Sequence, residues 1–519
     1  MVTARPNDSQ ALWLKMGMAI ASVHLTDNQA TDAVLENIVS RHGADDRAAE
    51  AVNHIAWACR KLQQYNKALT IYQYAVDHWP RKDRVAFSQE GIVICYLGLG
   101  NRPAADEALD VLLQRFGKDK NASKLVLWAA RDYFNAGQIE GACKVYEVAL
   151  QNYPDAPEAV EAQAGLALAL VQREDRTRIE PVVQALLTRF APNETKALGL
   201  HNVANTLLWK QVSYLTRRPQ PADTSPLYNR CLRAIANYTL QTWPKSDWAL
   251  WAERDLAFLA VLTGSNADVE AAVARLTAEY ANRKEVVEVL DFLGSRSAET
   301  GRDDKAQVLY QHLVSKYPDH ELVPIAKSKL GRILIRRGDE ADAEVLFQKM
   351  MKDYANHPRL AEAIDLMAEG YLDQGIALEK AEAKRVGSAE YAKIVREQGR
   401  SEAVKNCCRR AIEKWQIIIE KLPPTVPQAA KAWYFTGVAY RRHLGDAEKA
   451  IPYYQKVVET WPDYQYAWSA QSMLALCYET LVRSGKMTKQ EAEPKIEQAH
   501  KAVVEKYPDH PVVTAPREW

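Results

Sequence analysis

The stretch ARDYFNAGQIEGACKVYEVALQNYP, Ala130 to Pro154, decides the fold. Proline ends it, because proline has no N–H to donate and pushes the residue before it out of the helical region. Counting back, Ala142 lies twelve residues before Pro154 and Ala130 twenty-four before it. Tyr146 stands eight before the end. The same offsets recur elsewhere. Pro80 leads back to Ala68 and Ala56, Pro318 to Ala306 and Gly294, and Ala355 to Ala343 and Gly331. Tyr72, Tyr310, Phe347 and Tyr454 hold the aromatic place. The pattern reads as two helices per unit, with small residues where they meet and an aromatic filling the space between neighbouring units.

The endings set the period. Trp79-Pro80, Tyr153-Pro154, Trp243-Pro244, Tyr317-Pro318, Trp461-Pro462 and Tyr507-Pro508 are the clear copies. Degenerate copies stand at His42, Phe116, Phe190, Tyr280, Tyr354 and Leu422. Seven of the eleven steps between these positions are 37 residues, a regularity that marks a repeat architecture. The expectation is an all-α, right-handed α-solenoid of about twelve helix-turn-helix repeats with a 37-residue period. Helices should end near residues 42, 79, 116 and 153. In the turns, Gly338-Asp339, Gly445-Asp446 and Gly301-Arg302-Asp303 suit a left-handed glycine that ends one helix and an aspartate that caps the next. They lack the alternating ligand spacing of a calcium loop.

Composition agrees. The chain has 519 residues, 47% apolar and 26% charged, with 67 Lys and Arg against 66 Asp and Glu. That balance argues against a protein that holds nucleic acid by a global basic field. No apolar run reaches the length of a membrane span. Ala11 to Leu25 is apolar enough to imitate a signal peptide, but Lys15 interrupts it and it fits the repeat as a helix. Seven cysteines with no C-x-x-C spacing read as core thiols.

The segment Trp433-Tyr-Phe-Thr-Gly437-Val-Ala-Tyr440, followed by Ala450, Tyr454 and Pro462, resembles the tetratricopeptide repeat signature. Similar matches run along nearly the whole chain. The family unit has 34 residues, and the extra three are expected in the link from each second helix to the next first helix. The Tyr-Pro-Asp endings at Tyr153, Tyr317 and Tyr507 resemble those of bacterial envelope proteins of this kind. The resemblance implies a periplasmic or envelope location, with the cytoplasm as the alternative.

The expected organisation is a solenoid over 6–358 with a loop insertion near 213–226, a repeat with a helical insertion over 359–422, further repeats over 423–510, and a tail from 511 to 519. The step from 354 to 422 is 31 residues longer than the period. From Glu379 to Lys414 it carries ten basic and six acidic residues. It reads either as a solvated charged face or as an element broken near Gly387 and Gly399 that docks a partner or second copy through residues 377–405.

No H-E-x-x-H, G-x-S-x-G or G-x-x-x-x-G-K-[ST] pattern occurs, and the histidines are scattered. The expectation is therefore no catalytic residues, no metal and no cofactor, and a protein or peptide partner within a larger assembly. The resemblance implies that the first helix of each hairpin lines the binding face. Matching positions are Asn53, Trp57, Arg60 and Lys61; Lys124 and Arg131; Trp251 and Arg254; Arg332 and Arg336; and Tyr434, Arg441 and Arg442. Arg, Trp and Tyr are the side chains that most often carry interface energy. The basic pairs also suit the negative end of a helix dipole without any partner. The Lys and Asn arrangement with which some members clamp a carboxylate does not recur in adjacent units. Two other classes remain open: a solenoid that binds glycans on its thirteen tryptophans, and an α/α-toroid enzyme acting on glycans.

Overall fold

A computed structural model describes residues 9–45, 47–80, 84–216 and 225–507. Every regular element among them is helical. The chain divides into two compact units, Met1–Leu259 and Ala260–Trp519, a division that the 37-residue rhythm does not mark.

Unit 1 holds six hairpins: α1 (Ser9–His24) with α2 (Asn28–His42), α3 (Ala48–Lys61) with α4 (Tyr65–His78), α5 (Val85–Gly98) with α6 (Arg102–Phe116), α7 (Ala122–Asn135) with α8 (Ile139–Asn152), α9 (Ala159–Arg173) with α10 (Arg176–Arg189), and α11 (Glu194–Thr216) with α12 (Ser225–Thr242). Helix α13 (Asp247–Thr263) runs through the division and α14 (Asn266–Glu279) follows it. Unit 2 continues with α15 (Glu285–Glu299) and α16 (Asp303–Lys316), then α17 (Val323–Arg337) and α18 (Glu340–Asp353). Next come α19 (Leu360–Val386), α20 (Ser388–Gln398) and α21 (Glu402–Lys421). Helix α22 (Ala429–Val438) passes into a π-helical turn, Ala439–His443, before α23 (Ala447–Thr460). The last pair is α24 (Ala467–Arg483) and α25 (Lys489–Lys506). With α13 and α14 taken as a pair in sequence, the described residues are all-α and make twelve successive helix pairs of the solenoid type.

The 37-residue beat is the spacing of the first helices, since α3, α5, α7 and α9 begin at 48, 85, 122 and 159. Links from a second helix to the next first helix run from four to seven residues, as at 190–193 and 422–428, while most turns inside hairpins run two or three. Small residues hold the helix contacts: Ala56, Ala68, Ala130, Ala142, Ala306 and Ala343 are fully buried. Four of the aromatics eight before an end fit against glycine. A Cβ at Gly91 of α5 would fall 2.5 Å from Cζ of Tyr72 on α4, and Tyr146 of α8 lies equally close to Gly165 of α9. In unit 2, Tyr310 and Tyr454 lie against Gly294 and Gly437 of their own hairpins.

The aromatic at the end of the second helix does more than stop it. Trp79 Nε1 donates to the Gly43 carbonyl at 2.9 Å, Tyr153 Oη to Gly117 at 3.0 Å, Tyr354 Oη to Pro318 at 2.7 Å and Tyr507 Oη to Pro462 at 3.1 Å. Each bond joins the end of one hairpin to the end of the hairpin before it. Phe190 has no donor, and there Arg189 reaches the Pro154 carbonyl at 3.4 Å. Each such bond is worth about 0.5–1.5 kcal/mol net.

The turns correct part of the capping expectation. Gly100, Gly137, Gly301, Gly338 and Gly445 take positive φ, and Gln63 and Glu174 do so without being glycine. Asp446 accepts the Lys449 N–H as expected. Asp339 makes no capping bond, and its carboxylate lies 3.6 Å from Arg337. Asp303 is already inside α16 and takes Arg336. A nearby arginine outcompetes the free N–H groups at both places.

The two long steps are resolved differently. The first lengthens α11 to 23 residues, so 213–216 are helix and not loop; residues 217–224 of the expected insertion, and the expected tail, lie outside the described residues. The second lengthens α19 to 27 residues and adds α20, with breaks at Gly387 and Gly399, both at positive φ. Helix α20 is exposed apart from buried Tyr391 and half-buried Ile394 and Val395, and its base is tied down. Arg400 pairs with Glu379 at 2.9 Å and donates to the Arg442 carbonyl in the π-helical turn. All seven cysteines are buried and free, and burial pushes the thiols of Cys95, Cys231 and Cys408 up to about 12.

A candidate partner groove on the first helices of unit 1

Residues on α3, α5 and α7 face one another because the period returns each of these helices in the same orientation. Trp57, Arg60, Lys61, Glu90, Ile94, Trp128, Arg131, Asp132 and Asn135 line a groove of about 400 Å³. Arg131 and Asn135 also line a second groove of about 580 Å³ that runs on over α9 and α11 past Glu161, Leu168, Leu198 and Asn202. Four of the expected positions, Trp57, Arg60, Lys61 and Arg131, thus stand together. Trp57 is 45% exposed, and Lys61 Nζ stands 5.4 Å from its ring centre. Lys124 covers Trp128 in the same way at 4.9 Å. Asn53 is half-buried and donates to Ser88 Oγ at 3.0 Å, which ties α3 to α5.

The charges in this groove are poorly matched. Glu90 is buried on α5, and its carboxylate comes no closer than 3.9 Å to Arg60. Burial pushes the Glu90 carboxyl up to about 8, against the pull of Arg60 and with a smaller push from Asp132. Burial likewise raises Asp132 to about 6. Nη1 of Arg60 is buried and makes no hydrogen bond. Arg131 is engaged, at 3.2 Å from Glu161 of α9.

Unit 2 has a smaller groove of about 300 Å³ on α15 and α17, which includes Arg332 and Arg336. Here every cation is closed on a neighbour. Lys329 donates to Asp291 at 2.7 Å, Arg332 to Asp373 at 2.7 Å and Arg336 to Asp303 at 2.7 Å. Further along, Lys431 of α22 bridges Asp365 and Glu369 of α19 at 2.6 Å each. Asp365 also accepts the Trp415 Nε1–H at 2.9 Å.

The remaining expected residues are placed in the body of the protein. Arg254 is 7% exposed, bonded to Asp255 and to Asn205, because an arginine facing inward needs a buried carboxylate beside it. Trp251, half-buried, lies under that guanidinium at 5.0 Å and beside His201, which burial holds down to about 4. Tyr434 is buried, stacked on Tyr466 with its hydroxyl 2.9 Å from Ser469 Oγ, so it belongs to the core and not to an open face. Arg441 lies in the π-helical turn with a buried Nε. Glu90, Asp132 and Trp128 were not anticipated. A carboxylate inside the apolar run Val85–Gly98 was the available signal for Glu90.

Among the described residues no group of three or more His, Cys, Asp or Glu side chains could hold a metal ion, and no helix is long and apolar enough to cross a membrane. Tetratricopeptide repeat models match residues 125–156 and 396–465. A search of curated proteins gives no match. Among solved structures, the chain is similar to the APC/C hetero-tetramer Cut9–Hcn1 at 12% identity and TM-score 0.25, covering 96% of this chain and 94% of that one. It is similar to Naa15/Naa10 bound to HypK-THB at 12% identity and TM-score 0.26, covering 99% and 91%. Its likeness to yeast Tom70 is at 15% identity and TM-score 0.23, covering 90% and 98%. Similarity at this level does not superimpose individual residues.

Proposed function

We propose that the chain, which matches tetratricopeptide repeat models over residues 125–156 and 396–465, is a non-enzymatic scaffold that holds a segment of another protein along the first-helix face of unit 1, as one subunit of a larger assembly. The observation that carries this reading is the groove on α3, α5 and α7. It joins the exposed Trp57 with Arg60, Lys61 and Arg131, and it shares Arg131 and Asn135 with the longer groove on α9 and α11. Each hairpin buries its apolar side against the next, and Trp57 and Leu198 stay exposed on the first-helix face. An extended segment of a partner could follow both grooves over several repeats.

Site-specific photo-crosslinking in the native cell tests this. A crosslinking residue in place of Trp57 or Leu198 should capture one and the same protein. The same residue in place of Gln73 or Val345, exposed on the second helices α4 and α18, should not. Capture from the second helices alone, or from neither set, rejects the reading.

A further inference from the structure

We propose that the outer side of α1 is a dimerisation surface, on which α1 of a second copy of this chain packs antiparallel about a two-fold axis between Gly17 and Met18.

The repeat shows what this side is for. Leu14 stands at the repeat position of Ala51, Ser88 and Leu125 on α3, α5 and α7, and Met18 at that of Ile55, Ile92 and Ala129. All six are buried, whereas Leu14 is 44% and Met18 54% exposed. Gly17 holds the repeat position of Gly91 and Gly165. Each of those glycines takes a tyrosine of the preceding second helix, Tyr72 or Tyr146, so closely that a Cβ would clash with the ring. A Cβ at Gly17 would meet nothing within 4 Å. Helix α1 is therefore a stacking helix whose stacking side is bare among the described residues. What covers it must be apolar and must put a side chain against Gly17.

The pattern of that side points to another α1. Leu14, Gly17, Met18 and Ala21 are all exposed, and their spacing of three and four places them on one side of the helix. With two copies antiparallel about an axis between residues 17 and 18, Leu14 faces Ala21 of the second copy and Gly17 faces its Met18. Each large side chain then meets a small one, and the same patch serves both copies, as a two-fold contact requires. Met18 enters the place that a tyrosine fills at Gly91. Charge does not oppose the contact. Lys15 is the one Lys, Arg, Asp or Glu residue of α1, and it is buried, with Nζ 3.0 Å from His42 Nε2. Helix α25 is the contrast. It exposes Glu493, Glu497, Lys501 and Glu505, the polar outer side with which a repeat stack can end in water. One face of a 16-residue helix, about 24 Å long, makes an interface at the small end of the range, so a Kd of about 10 μM is expected.

Sedimentation equilibrium of the full chain from about 1 to about 200 μM tests this. The wild type should pass from monomer to dimer and no further, and its melting temperature should rise with concentration. Leu14→Glu and Met18→Glu should each raise Kd about tenfold or more, because each buries a charge against the second copy. Gly17→Leu should do the same by filling the place of Met18. Its melting temperature at about 1 μM should not fall, since the space beside Gly17 is open in the single chain and leucine is the better helix former. That separates loss of the contact from loss of the fold. Met18→Cys, beside the axis, should give a covalent dimer with a bismaleimide, and Val345→Cys on α18 should not, the native cysteines being buried. A chain that stays monomeric up to about 200 μM overturns the proposal. So does a dimer whose Kd is unchanged in Leu14→Glu and Met18→Glu, which places the contact elsewhere. Assembly beyond the dimer overturns the two-fold arrangement.

Discussion

The first helices of unit 1 and unit 2 come from the same repeat and carry basic residues at similar places, yet they use them differently. In unit 2 the cations latch one hairpin to the next: Lys329 to Asp291, Arg332 to Asp373, and Lys431 to both Asp365 and Glu369. In unit 1 Nη1 of Arg60 is buried without an acceptor beside Glu90, whose carboxyl burial pushes up to about 8, and exposed Trp57 lines the same groove. A carboxylate buried with its cation in hydrogen-bond reach is part of the structure. A carboxylate buried without one is a burden on stability.

The largest effect is expected where the latch is deepest. Asp365→Ala leaves Lys431 short of one partner and the buried Trp415 N–H with none, so it should cost about 3 kcal/mol or more in urea unfolding, the usual price of breaking a buried pair. A loss under about 1 kcal/mol would mean that the unit 2 latches do not stabilise the stack.

Next come the helix contacts common to both units. Ala142→Trp in unit 1 and Ala306→Trp in unit 2 should each lower stability by about 1–3 kcal/mol through overpacking. An unchanged melting temperature in either would show that its hairpin is not closed at that position.

Glu90→Gln should behave in the opposite sense to Asp365→Ala. The folded-state pKa of Glu90 is raised, from 4.5 to about 8, so the folded chain holds a proton that the unfolded chain releases. The stability that this proton supports is fully present below about pH 4.5 and is lost as the pH rises toward 8. Wild-type melting temperature should therefore fall relative to Glu90→Gln between pH 5 and pH 8, and the variant should be the more stable at pH 8. A pH-independent difference between the two would place Glu90 in contact with water or with Arg60 at closer range.

The smallest effect is expected from the insertion. Removing residues 384–398 takes away α20, whose one buried side chain is Tyr391, and leaves the α19–α21 packing in place. Melting should move by no more than about 1 kcal/mol equivalent, in line with surface changes. A collapse of the fold would make α20 part of the unit 2 core.

The residues themselves determined the period, the pairing of helices and the places where the chain must turn. Proline, alanine and glycine act locally, through a missing N–H, a small side chain and a positive φ, and local rules are readable in one dimension. Gly387 and Gly399 marked the breaks of the insertion for that reason. What only the tertiary structure decided is which side chains of equal chemistry meet a partner. Arg60, Arg254 and Arg332 look alike in the repeat, but one has a buried donor without an acceptor, one is buried against Asp255, and one is tied to Asp373. For Arg60 and Arg332 that outcome depends on the residue across the gap on the next hairpin, Glu90 and Asp373, and for Arg254 on how deeply it is buried beside its neighbour Asp255. Electrostatic energy falls with distance and rises with burial, and neither is written in the order of the residues.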